Sequence, residues 1–82
     1  MNLEEIKLKV SEILQYKLRI SENEIDFNST LKDLGADSLH EVDIIYSAEE
    51  KFGIRIPDQY YAESKSIDEI CNAIESLINK PS

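Results

Sequence analysis

Ser38-Leu39-His40-Glu41-Val42-Asp43-Ile44-Ile45-Tyr46-Ser47-Ala48-Glu49-Glu50-Lys51-Phe52-Gly53 is the stretch that decides the fold. Its apolar residues recur at steps of three and four, the period of a helix, and Gly53 stands where a left-handed residue closes one. The spacing predicts a central helix over Leu39 to Phe52. Wound at about 100° per residue from Leu39, the apolar side chains run back through Tyr46, Val42, Ile45, Phe52, Ala48 and Ile44 over an arc of about 220°. One core needs a narrower stripe. Val42, Ile45, Ala48 and Phe52 are therefore expected to face the interior, as a central helix in a thin domain is surrounded by core. Asp43 and Glu50 lie about 20° to 40° beyond Leu39 on the other side. Leu39 and Tyr46 thus fall where apolar and acidic faces meet, and an apolar edge rimmed by carboxylates suits protein docking.

Both flanks are helical as well. Leu3, Ile6, Val10, Ile13, Leu14 and Leu18 make an amphipathic stripe, with Asn2 placed to cap it, Glu5 at the capping-box position, and fraying expected near Lys17 to Ile20. Ile67, Ile70, Cys71, Ile74, Leu77 and Ile78 repeat the pattern behind a Ser66 and Glu69 capping box, with Pro81 beyond the end. Pro57 forces an extended connection after Gly53, and Asp58 starts a short helical turn through Tyr61. The segment from Ser21 to Ala36 is long for a bundle connection. Ile25, Phe27, Leu31 and Leu34 are expected to pin it to the core, with one turn near Thr30 to Leu34. The expectation is an all-α single domain over residues 1–82: a small bundle of three main helices and one short helix, with a long first loop.

Eighty-two residues allow one thin core, burying only about 60% of the unfolded surface, and no deep cleft with supporting shells. One cysteine, Cys71, rules out a disulfide framework; it lies on the apolar stripe of its helix and reads as core, in keeping with a reducing cytosol. No long apolar stretch marks a membrane span or signal peptide, so a soluble cytoplasmic chain is expected. The net charge is −8, which argues against binding nucleic acid. From Glu22 to Glu50 stand nine carboxylates against the single Lys32, so this segment alone carries −8 and the remainder is balanced. Solvation is the simpler account of such a patch; steering of basic partners is the sharper one.

Ser38 sits at the head of the central helix, within the acidic segment. It reads first as a cap, either in a box with Glu41 or with Asp37 capping in its place. A hydrolytic nucleophile would need a histidine base within reach, and the sole histidine, His40, is two residues along the same helix and cannot face it. Asp26, Asn28, Thr30 and Asp37 follow part of a calcium-loop spacing, but Leu31 replaces the required glycine and no glutamate closes the loop. A tether fits better: a phosphodiester on Ser38 would lie at a helix N-terminus, where free N–H groups favour negative charge, and Gly35 leaves the approach open.

The segment Leu34-Gly35-Ala36-Asp37-Ser38-Leu39 resembles the attachment motif of acyl carrier proteins. The likeness continues through Glu49-Glu50-Lys51-Phe52-Gly53-Ile54-Arg55-Ile56-Pro57-Asp58, which resembles the end of that family's second helix and the following loop. It extends over essentially the whole chain. The resemblance implies that Ser38, flanked by Asp37 and Leu39, carries 4′-phosphopantetheine taken from coenzyme A by a phosphopantetheinyl transferase, usually magnesium-dependent. The thiol of that arm would hold acyl groups as thioesters for delivery to partner enzymes with basic docking patches. The carrier itself would be no enzyme, would hold no metal and would act as a monomer, with fatty acid synthesis the default pathway because the sequence shows no linker to other domains. Leu39, Val42, Asp43, Tyr46, Glu49 and Glu50 occupy the family's usual contact positions. Val10, Leu14, Ile45, Ile56, Ile70 and Ile74 are the expected lining for a sequestered acyl chain. His40, Tyr46, Tyr60, Tyr61 and Ser64 depart from the family's usual residues; His40 is expected to weaken the patch beside Ser38 and to make docking pH-sensitive, and Tyr61 to fill volume left by Ser64. The competing reading is a protein-interaction module in which Ser38 is only a cap.

Overall fold

The computed structural model describes residues 1–61 and 65–79, so the expectations about Ser64 and Pro81 lie outside the described residues. Three α-helices, α1 (Leu3–Leu18), α2 (Ser38–Phe52) and α3 (Ile67–Asn79), are joined by segments carrying three short 3₁₀ turns at Glu22–Glu24, Lys32–Leu34 and Asp58–Tyr60. Among the described residues the short fourth helix expected after Pro57 is a single turn, and the count is three helices plus turns, within the same all-α architecture.

Each helix boundary has a local cause. The Asn2 side chain accepts the Glu5 N–H at 2.9 Å and starts α1. Arg19 ends it, in the left-handed conformation at φ 55. At α3 the expected box is complete: Ser66 Oγ accepts the Glu69 N–H at 3.1 Å and Glu69 Oε1 accepts the Ser66 N–H at 2.8 Å. The head of α3 is also tied to the long loop, because Ile67 N–H donates to the Ser29 carbonyl at 2.9 Å and Asp68 N–H to that of Phe27 at 2.8 Å. These bonds satisfy amides that a helix N-terminus otherwise leaves without partners.

The core is built from Ile6, Val10, Ile13 and Leu14 of α1, Ile44, Ile45 and Ala48 of α2, and Ile67, Ile70, Cys71 and Ile74 of α3. Leu31, Ala36 and Ile56 join it from the connections. Ile25, Phe27 and Leu34 pack against it half-buried, so the long loop is pinned as its sequence suggested. Val42 departs from expectation: it is 60% exposed rather than part of the core. The reason is angular. Ile44, Ala48 and Ile45 already fill the sector of α2 that faces α1 and α3, and Val42 lies about 60° outside it. The wide apolar arc is therefore two faces, one buried and one open.

Candidate functional site

The approach to Ser38 is built from the core outward. Leu31 and Ala36 are both buried, and the Ala36 N–H donates to the Leu31 carbonyl at 3.1 Å. Between them the chain reverses through Gly35 at φ 93, a value that favours glycine. Thr30 and Asp33 brace the same turn with reciprocal hydrogen bonds of 3.0 and 3.1 Å. With Ala36 anchored, Asp37 and Ser38 face solvent.

Asp37, not Ser38, caps α2. Its Oδ1 accepts the His40 N–H at 2.9 Å and its carbonyl accepts the Glu41 N–H at 3.0 Å. Ser38 is the first helical residue, so the Ser38–Glu41 box is replaced by one between Asp37 and His40. The physical reason is backbone geometry: Asp37 is extended at φ −91, ψ −176, which an N-cap needs, whereas Ser38 is already helical. The cap is made without the serine hydroxyl. The His40 amide, with other donors at the helix head, holds the Asp37 carboxyl below the usual carboxylate range.

His40 turns back toward the cap. Its Nδ1 lies 3.4 Å from the Asp37 N–H, which donates to it, and 3.2 Å from Asp37 Oδ1. His40 is thus part of the structure holding Ser38 at the helix head.

Along α2, Leu39 is 81% exposed, Val42 60% and Tyr46 59%, an apolar ridge at the i, i+3, i+7 spacing of one helix face. The acidic residues beside it differ in what they are free to do. Glu50 is exposed. Asp43 is engaged by Lys17 of α1, whose Nζ reaches Oδ1 at 3.2 Å and Oδ2 at 3.1 Å. Glu49 is turned inward, its Oε2 accepting the Ile56 N–H at 2.7 Å. Lys17 was not singled out in the sequence, and no local signal marks it, since its partner is 26 residues away.

Of the expected acyl-chain lining, Val10, Leu14, Ile45, Ile70 and Ile74 surround an enclosed apolar void of about 10 Å³. Ile56 is buried but does not line it. Such a void is at the lower limit for one water molecule. Cys71 is fully buried, and that burial pushes its thiol up to about 12. Asp26, weighed as a calcium ligand, accepts the Asn28 N–H at 2.9 Å and serves its own turn. Tyr61 is half-buried with its hydroxyl donating to Asp58 at 2.9 Å.

An exposed hydroxyl at the head of a buried-on-one-side helix fits a covalently tethered anion, and comparison with known proteins gives the tether a name. The family model described as "Phosphopantetheine attachment site" matches residues 8–74, which makes this a phosphopantetheine-bearing carrier domain. The "Acyl carrier protein" of Chloroherpeton thalassium is 36% identical over 81 residues, covering 98% of each chain. That of Treponema denticola is 32% identical over 75 residues, 90% of this chain and 96% of its own. The "Acyl carrier protein 2, chloroplastic" of Hordeum vulgare is 37% identical over 73 residues, and there the chain spans only 57% of the relative's length. The chain belongs to the acyl carrier protein family.

Proposed function

We propose that Ser38 is the residue on which this carrier holds its phosphopantetheine, and that residues 1–82 form a carrier domain that serves fatty acid synthesis in the cytoplasm. The observation that carries the reading is the exposed Ser38 side chain at the first position of α2, with the cap delegated to Asp37. When bound, the group supplies a flexible arm ending in a thiol that holds acyl chains as thioesters. The amides of Ser38 and Leu39 lie at the positive end of the helix and favour the phosphodiester's charge. Asp37, itself anionic, has its carboxylate committed to the His40 N–H. Leu39, Val42 and Tyr46 would receive the transferase and the acyl-handling enzymes, with Asp43 and Glu50 steering their basic surfaces. Glu49 is better read as a structural residue of that helix. Among the described residues no helix is long and apolar enough to cross a membrane.

Incubation of the purified chain with coenzyme A and a promiscuous phosphopantetheinyl transferase, followed by intact mass, tests the assignment. One phosphopantetheine should add to the wild type and none to Ser38→Ala, whose fold should be intact by circular dichroism. Addition to Ser38→Ala would move the site, and no addition to the folded wild type would favour an interaction module using the same apolar ridge. The unaided chain is expected not to turn over esters or thioesters.

A further inference from the structure

We propose that Lys17 sets the strength of docking at Asp43 by competing, from within the same molecule, with the basic residue that a partner enzyme brings to that carboxylate. The inference rests on the docking role of α2 given above and adds a residue from a different helix to it. Lys17 lies in the last turn of α1, where the negative end of the helix favours a cation. Its Nζ contacts both Asp43 oxygens, at 3.1 and 3.2 Å, and also sits 5.7 Å from the centroid of the exposed Tyr16 ring. Carboxylate, ring and helix end hold the ammonium in one place. The two partners differ in access, the Lys17 side chain being 26% exposed and that of Asp43 50%. An incoming guanidinium or ammonium can therefore reach Asp43, but it meets a carboxylate already matched by a positive charge.

The consequences separate the acidic residues of the docking face. Glu49 is committed to the Ile56 N–H and Asp43 to Lys17, whereas Glu50 stands exposed. A partner that relies on Glu50 has no such pair to displace, although Lys17 and Glu50 line the same groove. One that relies on Asp43 must displace or share it. Lys17 thereby discriminates among partners by which carboxylate they address, and weakens contact with all that address Asp43.

The test measures loading by a phosphopantetheinyl transferase with coenzyme A, using the full chain and steady-state kinetics. Lys17→Met keeps the helical stem and removes the charge. It should lower the KM for the carrier by about two- to fivefold, the range of an exposed ion pair, with kcat unchanged. Lys9→Met makes the same change in net charge, and Lys9 has no ion pair among the described residues; it should leave KM close to wild type. Asp43→Asn should raise KM more in the Lys17→Met background than in the wild type, the signature of coupling. A Lys17→Met KM that equals that of Lys9→Met or rises, or equal Asp43→Asn effects in both backgrounds, would overturn the proposal while leaving the carrier reading intact. Failure of every folded variant and of the wild type to accept phosphopantetheine would overturn both.

Discussion

Replacing Glu49 by alanine separates holding the fold from meeting a partner. The residue closes α2 in two ways: its carbonyl accepts the N–H groups of Gly53 and Ile54, and its side chain accepts that of Ile56 at 2.7 Å. The chain thus wraps around Glu49 on leaving the helix, and this wrapping delivers Ile56, 3% exposed, to the core. Alanine keeps the two backbone bonds and removes the third, a short bond to a carboxylate, leaving a part-buried amide without its acceptor. A bond of that kind contributes about 1.5–3 kcal/mol. Taking about 2 kcal/mol and a domain of this size, Tm should fall by roughly 8–16 °C in thermal denaturation followed at 222 nm. Glu49→Gln retains an oxygen acceptor and should lose about half as much. Glu50→Ala, an exposed substitution, should stay within about 0.5 kcal/mol of wild type. If Glu49→Ala melts no lower than Glu50→Ala, or if Glu49→Gln weakens transferase loading as much as Glu50→Gln does with Tm unmoved, Glu49 is a docking residue and the structural assignment is wrong.

Ile74 is fully enclosed, so Ile74→Ala should cost about 2–5 kcal/mol; against roughly 4–12 kcal/mol for a domain of this length, urea titration should show a chain near its unfolding threshold at room temperature. The pH profile of stability should fall at both ends. Cys71 is raised to about 12 by burial, so its contribution is complete below the unfolded thiol's value near 8.5 and is lost as pH rises toward the folded value; the thiol should also resist iodoacetamide at pH 8 until urea is added. Asp33, Asp37 and Glu69 are lowered, chiefly by the backbone N–H groups of Thr30, His40 and Ser66, so their contributions are complete above about pH 4 and are lost as acid reaches the lowered values. A denaturation midpoint flat from pH 3 to pH 11 would refute both halves. In a carrier loaded with a long acyl chain, amide hydrogen exchange should accelerate in α2 before it does at Ile67 and Asp68; the reverse order would place the opening at α3.

Much of this was legible because it is local. The helices, the Asn2 and Ser66 caps and Gly53 all depend on residues within four positions of each other, where periodicity and capping chemistry speak directly. The exposed Leu39 and Tyr46 were read from the width of the apolar arc. Val42 was assigned to the core because an arc shows how much apolar surface there is, not how much the neighbouring helices cover. The choice between Asp37 and Ser38 as the cap of α2 stayed open for want of backbone angles, which the sequence does not contain. The pairing of Asp43 with Lys17 and the inward turn of Glu49 were invisible for another reason: each depends on where a second segment lies in space. A charge count makes all three carboxylates of the docking face equivalent, and packing makes them three different groups.

Where a guest chain would enter the core follows from how unevenly the seams are fastened. The void of about 10 Å³ is at the limit for a single water-sized group, so any greater buried length of cargo must move a helix. Each methylene taken in returns about 0.8 kcal/mol, and the seam that opens is the one that costs least. Separating the head of α3 from the long loop breaks the backbone bonds of Ile67 and Asp68 and loosens the Lys7–Asp68 pair at 3.0 Å. The amide of the fully buried Ile67 would lose a partner it cannot replace from an alkyl chain. The α1–α2 seam is spanned instead by Lys17–Asp43 and the longer Lys51–Glu12 contact at 3.9 Å, both partly solvated. Water replaces such pairs at small cost. Cargo should therefore be accommodated by displacement of α2, the helix that carries Ser38, the apolar ridge and Asp43, and the fastening expected to yield first is the longer Lys51–Glu12 contact, with Lys17–Asp43 following.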